Sequence, residues 1–588
     1  MKKMLFFTVI IFSMASWQKP ESGDWKNKVD ASLLEKAYAG EEAEFLILLQ
    51  EQADVSGSRQ FRIKEEKAAF VFNKLQQTAK QTQGPVIALL EEAGAAYRPF
   101  YIVNAILATG KLDLIRRVAQ LGAVAQVQDN PAVRLQPPLA EESGAPPISF
   151  RNALVEWGID KINADDVWAM GYTGQGVVIG GQDTGYEWDH PAIRDTYRGW
   201  DGNTADHNHN WHDAIHSLIG DPNDTNPCGL DSAVPCDDHS HGTHTMGTMA
   251  GSESDEGKSI GVAPGATWIA CRNMEKGAGT PATYIECFEW FLAPYDLNGE
   301  NANVTYAPHV INNSWSCPES EGCNPSNFGT MQMVVDNLKA SGIVVVVSAG
   351  NSGSNCATVN TPAAMYENSF SVGATQQNDT IAGFSSRGPV IADGSGRLKP
   401  NVAAPGVSVR SAVLNGGFAN FSGTSMAGPH VAGLVALLIS AKPELAGQVE
   451  EIESIIEQTA LPLFSGQDCA EFSGQQIPNA VYGFGRADAL AAVLEVLGVT
   501  SENGQPAAES LRVFPNPTGG QAFFRLDGAV GEAQVQAFSF SGQLVHSSRW
   551  NLADGNIKQV DLSALPSGIY WYRIALDGRQ YQGRLVKQ

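Results

Sequence analysis

Basic residues are scarce in this chain. Its 588 residues include 39 Lys and Arg against 63 Asp and Glu, which gives a formal net charge of −24. Proteins that bind nucleic acids usually carry clustered positive charge, so this balance argues against a nucleic-acid partner. Hydrophobic residues make up 43% of the chain and charged residues only 17%, which is enough apolar material for a large core and several domains.

The N-terminus lacks an apolar run long enough to cross a bilayer. Lys2 and Lys3 precede an apolar stretch from Leu5 to Met14, and small residues follow it. A membrane-spanning helix needs about 20 apolar residues, whereas a secretory signal peptide has a shorter apolar core behind positive charges. We therefore predict a signal peptide at 1–16 and no stable transmembrane segment in the mature form. A buried first helix is the alternative.

Cysteine is absent from the first and last hundred residues, and no CxxC spacing indicates a zinc site. An even number of cysteines in an exported chain favours disulfides, with reduced buried thiols as the alternative. Pairs that are close in sequence, Cys228 with Cys236 and Cys317 with Cys323, are suited to closing small loops, but the full connectivity stays open. The eight cysteines are Cys228, Cys236, Cys271, Cys287, Cys317, Cys323, Cys356 and Cys469.

The first ordered region, 41–137, alternates apolar strands with amphipathic helices. The segments EFLILLQ, KAAFVFNKLQQ, YIVNAILA, KLDLIRRVAQL and AVAQVQ follow one another as β-α-β-α-β. This order predicts a small α+β domain with helices on one face of a sheet. The proline-rich segment at 135–149 has no hydrophobic period, so we predict an exposed linker and a cleavage zone there.

The second region, 150–495, has short, fully apolar strands separated by helices. The runs GVVIGGQ, HVINNSW and GIVVVVSAG predict a parallel sheet that is buried on both faces, the α/β class. Active sites in such folds lie at the carboxyl ends of the strands. Asp183 and Asn351 follow predicted strands, and His241 and Ser425 lie where predicted helices begin.

Each of these residues alone has an ordinary structural interpretation. An Asp-Thr-Gly after a strand is often a turn, and a serine before an apolar helix is often its N-cap. A histidine in HGTH is suited to capping a helix or binding a metal. The four together, in the order Asp, His, Asn, Ser, are difficult to explain as separate structural residues.

The surrounding motifs resemble those of the subtilases, the subtilisin-like serine proteases. The resemblance covers about 150–495, and several motifs occur in the family's order, which makes it specific. It implies a subtilisin-like parallel sheet flanked by helices. The motifs are INADDVWAMGYTGQGVVI, QDTG, HGTHTMGTMAG, SAGNSG, FSSRGP, VAAPGV and GTSMAGPHVAG.

The resemblance implies a role for each of the four polar residues. Ser425 would be the nucleophile, His241 the general base and then acid, and Asp183 the carboxylate that orients the imidazole. Asn351 would donate its amide N–H to the oxyanion. The expected function is a secreted serine endopeptidase acting on proteins or peptides, with no cofactor required for the chemistry. The alternative is a catalytically silent subtilase-fold protein that serves in surface adhesion or binding.

The serine is expected at the beginning of a buried helix. Backbone N–H groups at a helix N-terminus have no helical partner and assist an oxyanion there. Gly423 and Gly428 leave room for substrate and neighbouring backbone. Pro429 is expected in the first turn, where its missing N–H would have had no helical partner anyway.

The resemblance also implies the walls of the substrate cleft. One wall is expected at Ser314, Trp315 and Ser316, where well-known members have Leu-Gly in place of the last two residues. The other is expected at Ser348–Gly350, with Asn360 where many members have glycine. Core packing is the alternative role for Trp315.

A polar insertion at 201–240 precedes the candidate catalytic histidine and contains further histidines. We predict a structured loop there in preference to a zinc or calcium site, because neither metal's ligand spacing is clear. Subtilases often bind structural calcium, so the resemblance keeps calcium open and the metal ligands unknown. The histidines are His207, His209, His212 and His216.

By position and strand order, 41–137 resembles the subtilase propeptide, a folding assistant and temporary inhibitor whose tail lies in the active-site cleft. The resemblance implies that the chain's own propeptide is a partner and that self-cleavage between about 136 and 150 releases the mature enzyme.

Residues 510–588 show alternating apolar positions with Gly/Pro turns, which predicts a small all-β sandwich. The segments VFPNP, LPSGIYWYRI and GRLVKQ resemble the C-terminal sorting domain of the Bacteroidetes type IX secretion system. That resemblance implies export by this machinery, to the medium or the outer-membrane surface. A sandwich that binds a polymer or substrate is the alternative, and 496–509 is predicted to be a flexible linker.

Side chains in place of glycine at Ser316 and Asn360 are expected to narrow the pocket for P1, the residue before the cleaved bond. We therefore predict a preference for small or medium P1 residues over large aromatic ones. Cleavage-site profiling on a peptide library measures this preference directly, and a strong Phe or Tyr preference would contradict it.

Overall fold

The structure is a computed structural model. It describes residues 25–135, 139–140, 155–219, 225–253, 258–498, 511–514, 518, 520–526, 531–539, 544–552, 557–576 and 579–587. The predicted signal peptide at 1–16 and most of the predicted linkers at 135–149 and 496–509 lie outside these residues. The chain divides into two compact units, Met1–Leu497 and Gly498–Gln588.

The N-terminal region is an α+β domain built on an antiparallel sheet with strand order β2-β3-β1-β4. Alternate side chains of β1 point to opposite faces. Phe45, Ile47 and Leu49 join the core formed with α1, α3 and α4, while Leu46 joins the core shared with the central domain. Its elements are α1 (Ala31–Tyr38), β1 (Ala43–Leu49), α2 (Lys64–Thr82), α3 (Gly84–Ala93), β2 (Tyr97–Phe100), β3 (Ala105–Gly110), α4 (Leu112–Ala119), β4 (Val124–Asp129), β5 (Val133–Arg134) and β6 (Leu139–Ala140).

Two features of this region differ from the sequence prediction. The segment YIVNAILA was expected to form one strand, but residues 101–104 form a turn between β2 and β3. The carboxylate of Glu289, in the central domain, accepts hydrogen bonds from this turn. The hydrophobic pattern of the segment itself therefore could not predict the turn. In addition, α1 packs in this core through Leu33 and Ala37, although it precedes the predicted start at residue 41.

The central domain has a parallel seven-stranded sheet with strand order β17-β16-β15-β14-β7-β11-β8. The apolar runs that predicted strands form β7, β14 and β15. Its elements are α5 (Trp157–Lys161), α6 (Ala164–Ala169), β7 (Val178–Asp183), β8 (Trp211–Asp213), α7 (His241–Ala250), β9 (Ser252–Glu253), β10 (Lys258–Ser259), β11 (Thr267–Arg272), β12 (Met274–Glu275), β13 (Ala278–Gly279), α8 (Pro281–Leu292), β14 (Val310–Asn313), α9 (Phe328–Ala340), β15 (Val344–Ser348), β16 (Phe370–Thr375), β17 (Val402–Pro405), β18 (Val409–Val413), β19 (Gly417–Ser422), α10 (Thr424–Ala441), α11 (Val449–Thr459) and α12 (Ala489–Val496).

Helices cover both faces of this sheet, which explains why its strands are apolar on both sides. α7, α10 and α12 contribute to one core cluster, and α8 and α9 to the other. α10 is the one helix in the described part of the chain that is long and apolar enough to cross a membrane, and it is almost fully buried. It is therefore the core helix that carries Ser425.

The N-terminal region packs on α8 and α9 and makes polar contacts that reach into the central domain. Arg98 forms an ion pair with the buried Glu286, at 2.5 Å. Lys64 Nζ donates to Ala307 O at 2.8 Å, and Lys67 Nζ donates to Gly447 O at 2.6 Å. Burial lowers the pKa of Lys64 to about 8.

All eight cysteines are paired in disulfides, so the reduced alternative does not hold. The two sequence-close pairs form as expected, and the other two link β11 to α8 and two loops of the central domain. The bonds are Cys228–Cys236, Cys271–Cys287, Cys317–Cys323 and Cys356–Cys469.

The C-terminal unit is all-β, as the alternating pattern predicted. It contains a three-stranded sheet, β20-β21-β24, and a four-stranded sheet, β23-β22-β25-β26, both antiparallel. Phe524 of one sheet and Trp550 of the other share a single core. The strands are β20 (Leu511–Phe514), β21 (Gln521–Leu526), β22 (Gly531–Ser539), β23 (Leu544–Leu552), β24 (Ile557–Asp561), β25 (Gly568–Leu576) and β26 (Arg579–Lys587).

The Glu289 side chain on α8 predicts a pH dependence of stability. Its Oε2 accepts hydrogen bonds from Tyr101 N and Ile102 N at 2.5 and 2.8 Å, and burial raises its pKa to about 8. The pKa of Glu289 is higher in the folded chain than in the unfolded chain, so its protonation stabilises the folded state. This stabilisation is complete at pH values below about 4 and is lost as the pH rises through 8.

We expect Glu289→Gln, which cannot ionise, to reduce the fall in unfolding temperature between pH 6 and pH 9. The measurement is thermal unfolding of the Ser425→Ala chain with and without Glu289→Gln, so that self-cleavage does not interfere. Parallel pH dependences in the two chains would contradict the assignment.

Candidate active site

Asp183 is the last residue of β7, in the interior of the seven-stranded sheet. Its side chain is buried. Oδ1 accepts a hydrogen bond from Thr184 N at 2.7 Å and lies 2.7 Å from His241 Nδ1. Oδ2 is also buried and has no hydrogen-bond partner among the described residues. The carboxylate is thus directed at the imidazole from the carboxyl edge of the sheet.

His241 is the first residue of α7 and is fully buried. Because a carboxylate accepts only, the contact with Asp183 assigns the proton to Nδ1 and leaves a lone pair on Nε2. Nε2 is buried and has no hydrogen-bond partner in the part of the chain that the structure describes. The imidazole is therefore oriented as a base with its accepting nitrogen available.

Ser425 lies in the first turn of α10, and its Oγ donates to Ser314 O at 3.4 Å. It makes no hydrogen bond with His241 among the described residues. Hydrogen bonds of this kind are often loose without substrate and tighten when it binds. The hydroxyl is thus uncommitted to a strong partner.

Pro429 does not lie in the first turn, as the sequence predicted. α10 begins at Thr424, so Pro429 lies in the second turn, where a helical N–H would bond to Ser425 O. The carbonyl freed in this way accepts from Ser314 Oγ at 3.3 Å. A polar residue of the neighbouring strand end therefore replaces the missing helical bond.

Asn351 follows β15, and its side chain is held by the start of α10. Its Oδ1 accepts from Thr424 N at 2.9 Å and from Thr424 Oγ1 at 2.8 Å, which leaves Nδ2 without a hydrogen-bond partner among the described residues. A Cβ atom on Gly423 would lie 3.6 Å from both Asn351 Nδ2 and Ser425 N. The glycine therefore keeps open a space that two N–H donors border.

The predicted cleft residues occupy two strand ends. Ser314, Trp315 and Ser316 follow β14, and Ser348–Gly350 end and follow β15, with Ser348 Oγ 3.3 Å from Ser314 Oγ. Asn360 is exposed. The Trp315 indole is 3% exposed and stacks on Tyr284 with ring centroids 3.9 Å apart, so this side chain packs in the core.

The segment after the N-terminal sheet pairs with two different strands of the central domain. β5 is antiparallel to β13, with Val133 opposite Gly279, and Leu135 N donates to Gly277 O. β6 is antiparallel to β19, with Leu139 opposite Ser422. Two residues of the predicted linker therefore take part in a sheet.

The four histidines of the insertion all have protein partners. His207 Nδ1 lies 2.9 Å from Tyr197 Oη and His209 Nδ1 lies 2.9 Å from Pro294 O, while His212 and His216 both contact Glu286 Oε1 at 2.8 Å. No group of three or more His, Cys, Asp or Glu residues is arranged to hold a metal within the described ranges.

Thr184 and Asp237 belong to the site although the sequence motifs did not indicate them. Both are buried and bond to the backbone around His241. The acidic run DDHSH before the helix was the available signal, because Asp is frequent just ahead of a helix N-terminus.

Comparison with known families gives two matches. The Subtilase family matches residues 174–485, and the Secretion system C-terminal sorting domain matches residues 512–588.

Relatives among characterised proteins agree with the first match. Bacillopeptidase F of Bacillus subtilis (strain 168) is 34% identical over 514 residues, which cover 82% of this chain and 34% of that protein. The chain thus spans about a third of that relative's length. Subtilisin E of Bacillus subtilis (strain 168) is 29% identical over 418 residues, 71% of this chain and 91% of the relative. Subtilisin DY of Bacillus licheniformis is 32% identical over 312 residues, 53% of this chain and 92% of the relative.

The family match covers more than half of the chain, and its buried Asp183–His241 pair lies at the carboxyl edge of a parallel sheet. The chain therefore belongs to the subtilase family of subtilisin-like serine proteases and carries a secretion sorting domain at its C-terminus.

Proposed function

We propose that the chain is a secreted serine endopeptidase that cleaves proteins or peptides through an acyl-enzyme and is made as a self-processed zymogen. The observation that carries this proposal is the buried imidazole of His241, with Asp183 on Nδ1 and a free lone pair on Nε2. An alcohol attacks a peptide carbonyl efficiently only when a positioned base takes its proton.

In the first half-reaction, Ser425 Oγ attacks the scissile carbonyl while His241 Nε2 takes its proton. Asp183 stabilises the imidazolium formed and keeps the ring in its orientation. The same Nε2–H then protonates the leaving amine, which yields the acyl-enzyme. In the second half, a water molecule takes the place of the amine and the same groups hydrolyse the ester.

The tetrahedral intermediate carries a negative oxygen that needs donors already in place. Asn351 Nδ2 and Ser425 N border the space at Gly423, and the Thr424 contacts hold the Asn351 amide with its N–H groups available. Donors fixed before the reaction lower the barrier because they need no reorganisation in the transition state. We propose Asn351 as the oxyanion donor.

The substrate is proposed to lie between the two strand-end walls, Ser314–Ser316 and Ser348–Gly350, with Asn360 at the pocket rim. Nucleophile, base and oxyanion donors are all groups of the chain itself, so we propose no cofactor for the chemistry. A structural calcium stays an expectation from the family resemblance.

The domain limits follow the same proposal. We assign 1–16 to a signal peptide, 41–137 to the inhibitory propeptide, 150–495 to the peptidase, 496–509 to a linker and 510–588 to the sorting domain. Pairing of β5 with β13, and of β6 with β19, which ends just before Ser425 in the chain, supports inhibition by the uncut chain. The sorting domain supports export by the type IX machinery, with release or retention on the outer-membrane surface.

A catalytically silent adhesion or binding protein is the competing class. We expect a fluorophosphonate probe to label the processed wild-type protein and not Ser425→Ala, because the probe reacts only with an activated serine. Absence of labelling in correctly folded wild-type protein would favour the silent class.

Asn351→Ala should lower turnover of a chromogenic peptide about 10²–10³-fold, the loss known for the equivalent donor in subtilisin.

Self-processing gives a separate test. The wild-type chain should cut itself between about 136 and 150, and Ser425→Ala, expressed alone, should remain uncut. Mass spectrometry of the purified chains locates the new N-terminus. An isolated Ser425→Ala chain that matures normally would show that another protease performs the cleavage.

A further inference from the structure

The end of the polar insertion reaches the proposed catalytic pair through one buried carboxylate. Asp237 is 7% exposed and forms an antiparallel bridge with Gly185, just after Asp183 in the chain. Tyr186 N donates to Cys236 O at 3.1 Å. A Cβ on Gly185 would come within 1.8 Å of that carbonyl oxygen, so only glycine permits this approach.

Both oxygens of Asp237 accept hydrogen bonds from the segment that begins α7. Oδ1 accepts from His239 N at 2.9 Å and Ser240 N at 3.0 Å. Oδ2 accepts from Thr243 N at 3.1 Å and from Thr243 Oγ1 at 2.6 Å. These bonds lie on both sides of His241, so the carboxylate fixes the backbone from which the imidazole projects.

Asp237 is also tied to the strand that carries Asp183. Thr184 Oγ1 donates to Asp237 Oδ1 at 2.9 Å and accepts from Gly242 N at 3.1 Å. Thr184 N in turn donates to Asp183 Oδ1. One carboxylate and one hydroxyl therefore connect the strand end to the helix start.

α7 lacks the usual side-chain cap at its N-terminus, so the hydrogen bonds to Asp237 and Thr184 replace it. Ser240, at the N-cap, has φ 75° and makes no side-chain cap bond. Instead, Asp237 accepts a hydrogen bond from Thr243 N, and Thr184 accepts one from Gly242 N. A negative charge at a helix N-terminus is itself favourable. The positive φ of Ser240 is a strained conformation that the surrounding bonds must maintain.

A disulfide and buried ion pairs stabilise the part of the insertion that contains Asp237. Cys236, its neighbour, is bonded to Cys228, and the fully buried Arg272 pairs with Asp238 at 2.6 Å and with Asp213 at 3.3 Å. The carboxylate is thus held on a fixed loop and does not depend on a mobile side chain to find its partners.

We propose that Asp237 is a positioning residue for catalysis: with Thr184 as its link, it sets the separation and orientation of Asp183 and His241. This inference rests on the proposed function. Asp237 does not touch the substrate, so its loss should reduce the chemical step and affect substrate binding little.

The test compares Asp237→Asn with Asp201→Asn in the full chain, using the processed enzyme and a fluorophosphonate probe. Asp201 is a matched control because it is an exposed carboxylate of the same insertion that also accepts backbone N–H bonds, from Asn203 and Thr204. We expect Asp237→Asn to lower the labelling rate and kcat about 10–100-fold with KM nearly unchanged, since small misplacements of reacting groups have effects of this size.

A second pair of variants keeps the test decisive if Asp237→Asn fails to fold. Thr184→Ser retains the hydroxyl link and should keep the wild-type labelling rate and kcat, whereas Thr184→Val, of the same shape, should show the same defects as Asp237→Asn. Equal labelling rates and kcat values for Thr184→Ser and Thr184→Val, or wild-type values for Asp237→Asn, would overturn the inference. A wild-type chain that is not labelled would overturn the proposed function, and this inference with it.

Discussion

The buried hydrogen bond between Asp183 and His241 is the contact on which the arrangement of the site depends. It joins a strand end to a helix start, and both partners are removed from water. A buried carboxylate and imidazole are unfavourable unless they pair, so the fold must hold them together within a few tenths of an ångström. The parallel sheet supplies this constraint, because its strands end at one common edge and cannot slide without losing their ladders.

The serine side of the cleft is held by a different means. α10 is anchored along its length in the apolar core, and Ser314 exchanges hydrogen bonds with Ser425 through both its hydroxyl and its carbonyl. Asn351 is fixed by the backbone and hydroxyl of Thr424. The proposed nucleophile, oxyanion donor and pocket wall thus form one bonded group, and Pro429 contributes by leaving a carbonyl for Ser314.

The N-terminal region has two physical relations to the central domain. Its sheet packs an apolar face on the surface helices, the half-buried Arg98 pairs with the buried Glu286, and the buried Lys64 donates to a backbone carbonyl. Its following segment adds short strands to the central domain, one of them along β19, which ends just before Ser425 in the chain. The first relation joins the two parts by apolar and polar contacts, and the second is the basis of the proposed inhibition.

Much of this architecture could be predicted from the sequence because its signals are local. Continuous Val/Ile runs predicted β7, β14 and β15, and alternation predicted the C-terminal sheets. Positions after strands and at helix starts, with the resemblance to subtilases, indicated Asp183, His241, Asn351 and Ser425 as one group. The strand break at residues 101–104 could not be predicted in this way, because the turn is held by Glu289, which is distant in sequence. Core packing of Trp315 was one of two roles left open, and the stacking on the distant Tyr284 decides between them. The turn in which Pro429 lies follows from the helix start at Thr424, but the bond from Ser314 to the freed carbonyl needed the structure. The same holds for Thr184 and Asp237, whose importance comes from hydrogen bonds that form only after the insertion has closed over the strand end. The sequence by itself determined which chemical groups are available and on which kind of element each lies. Only the tertiary structure decided which of them meet, because the contacts that orient them join segments that the chain order separates.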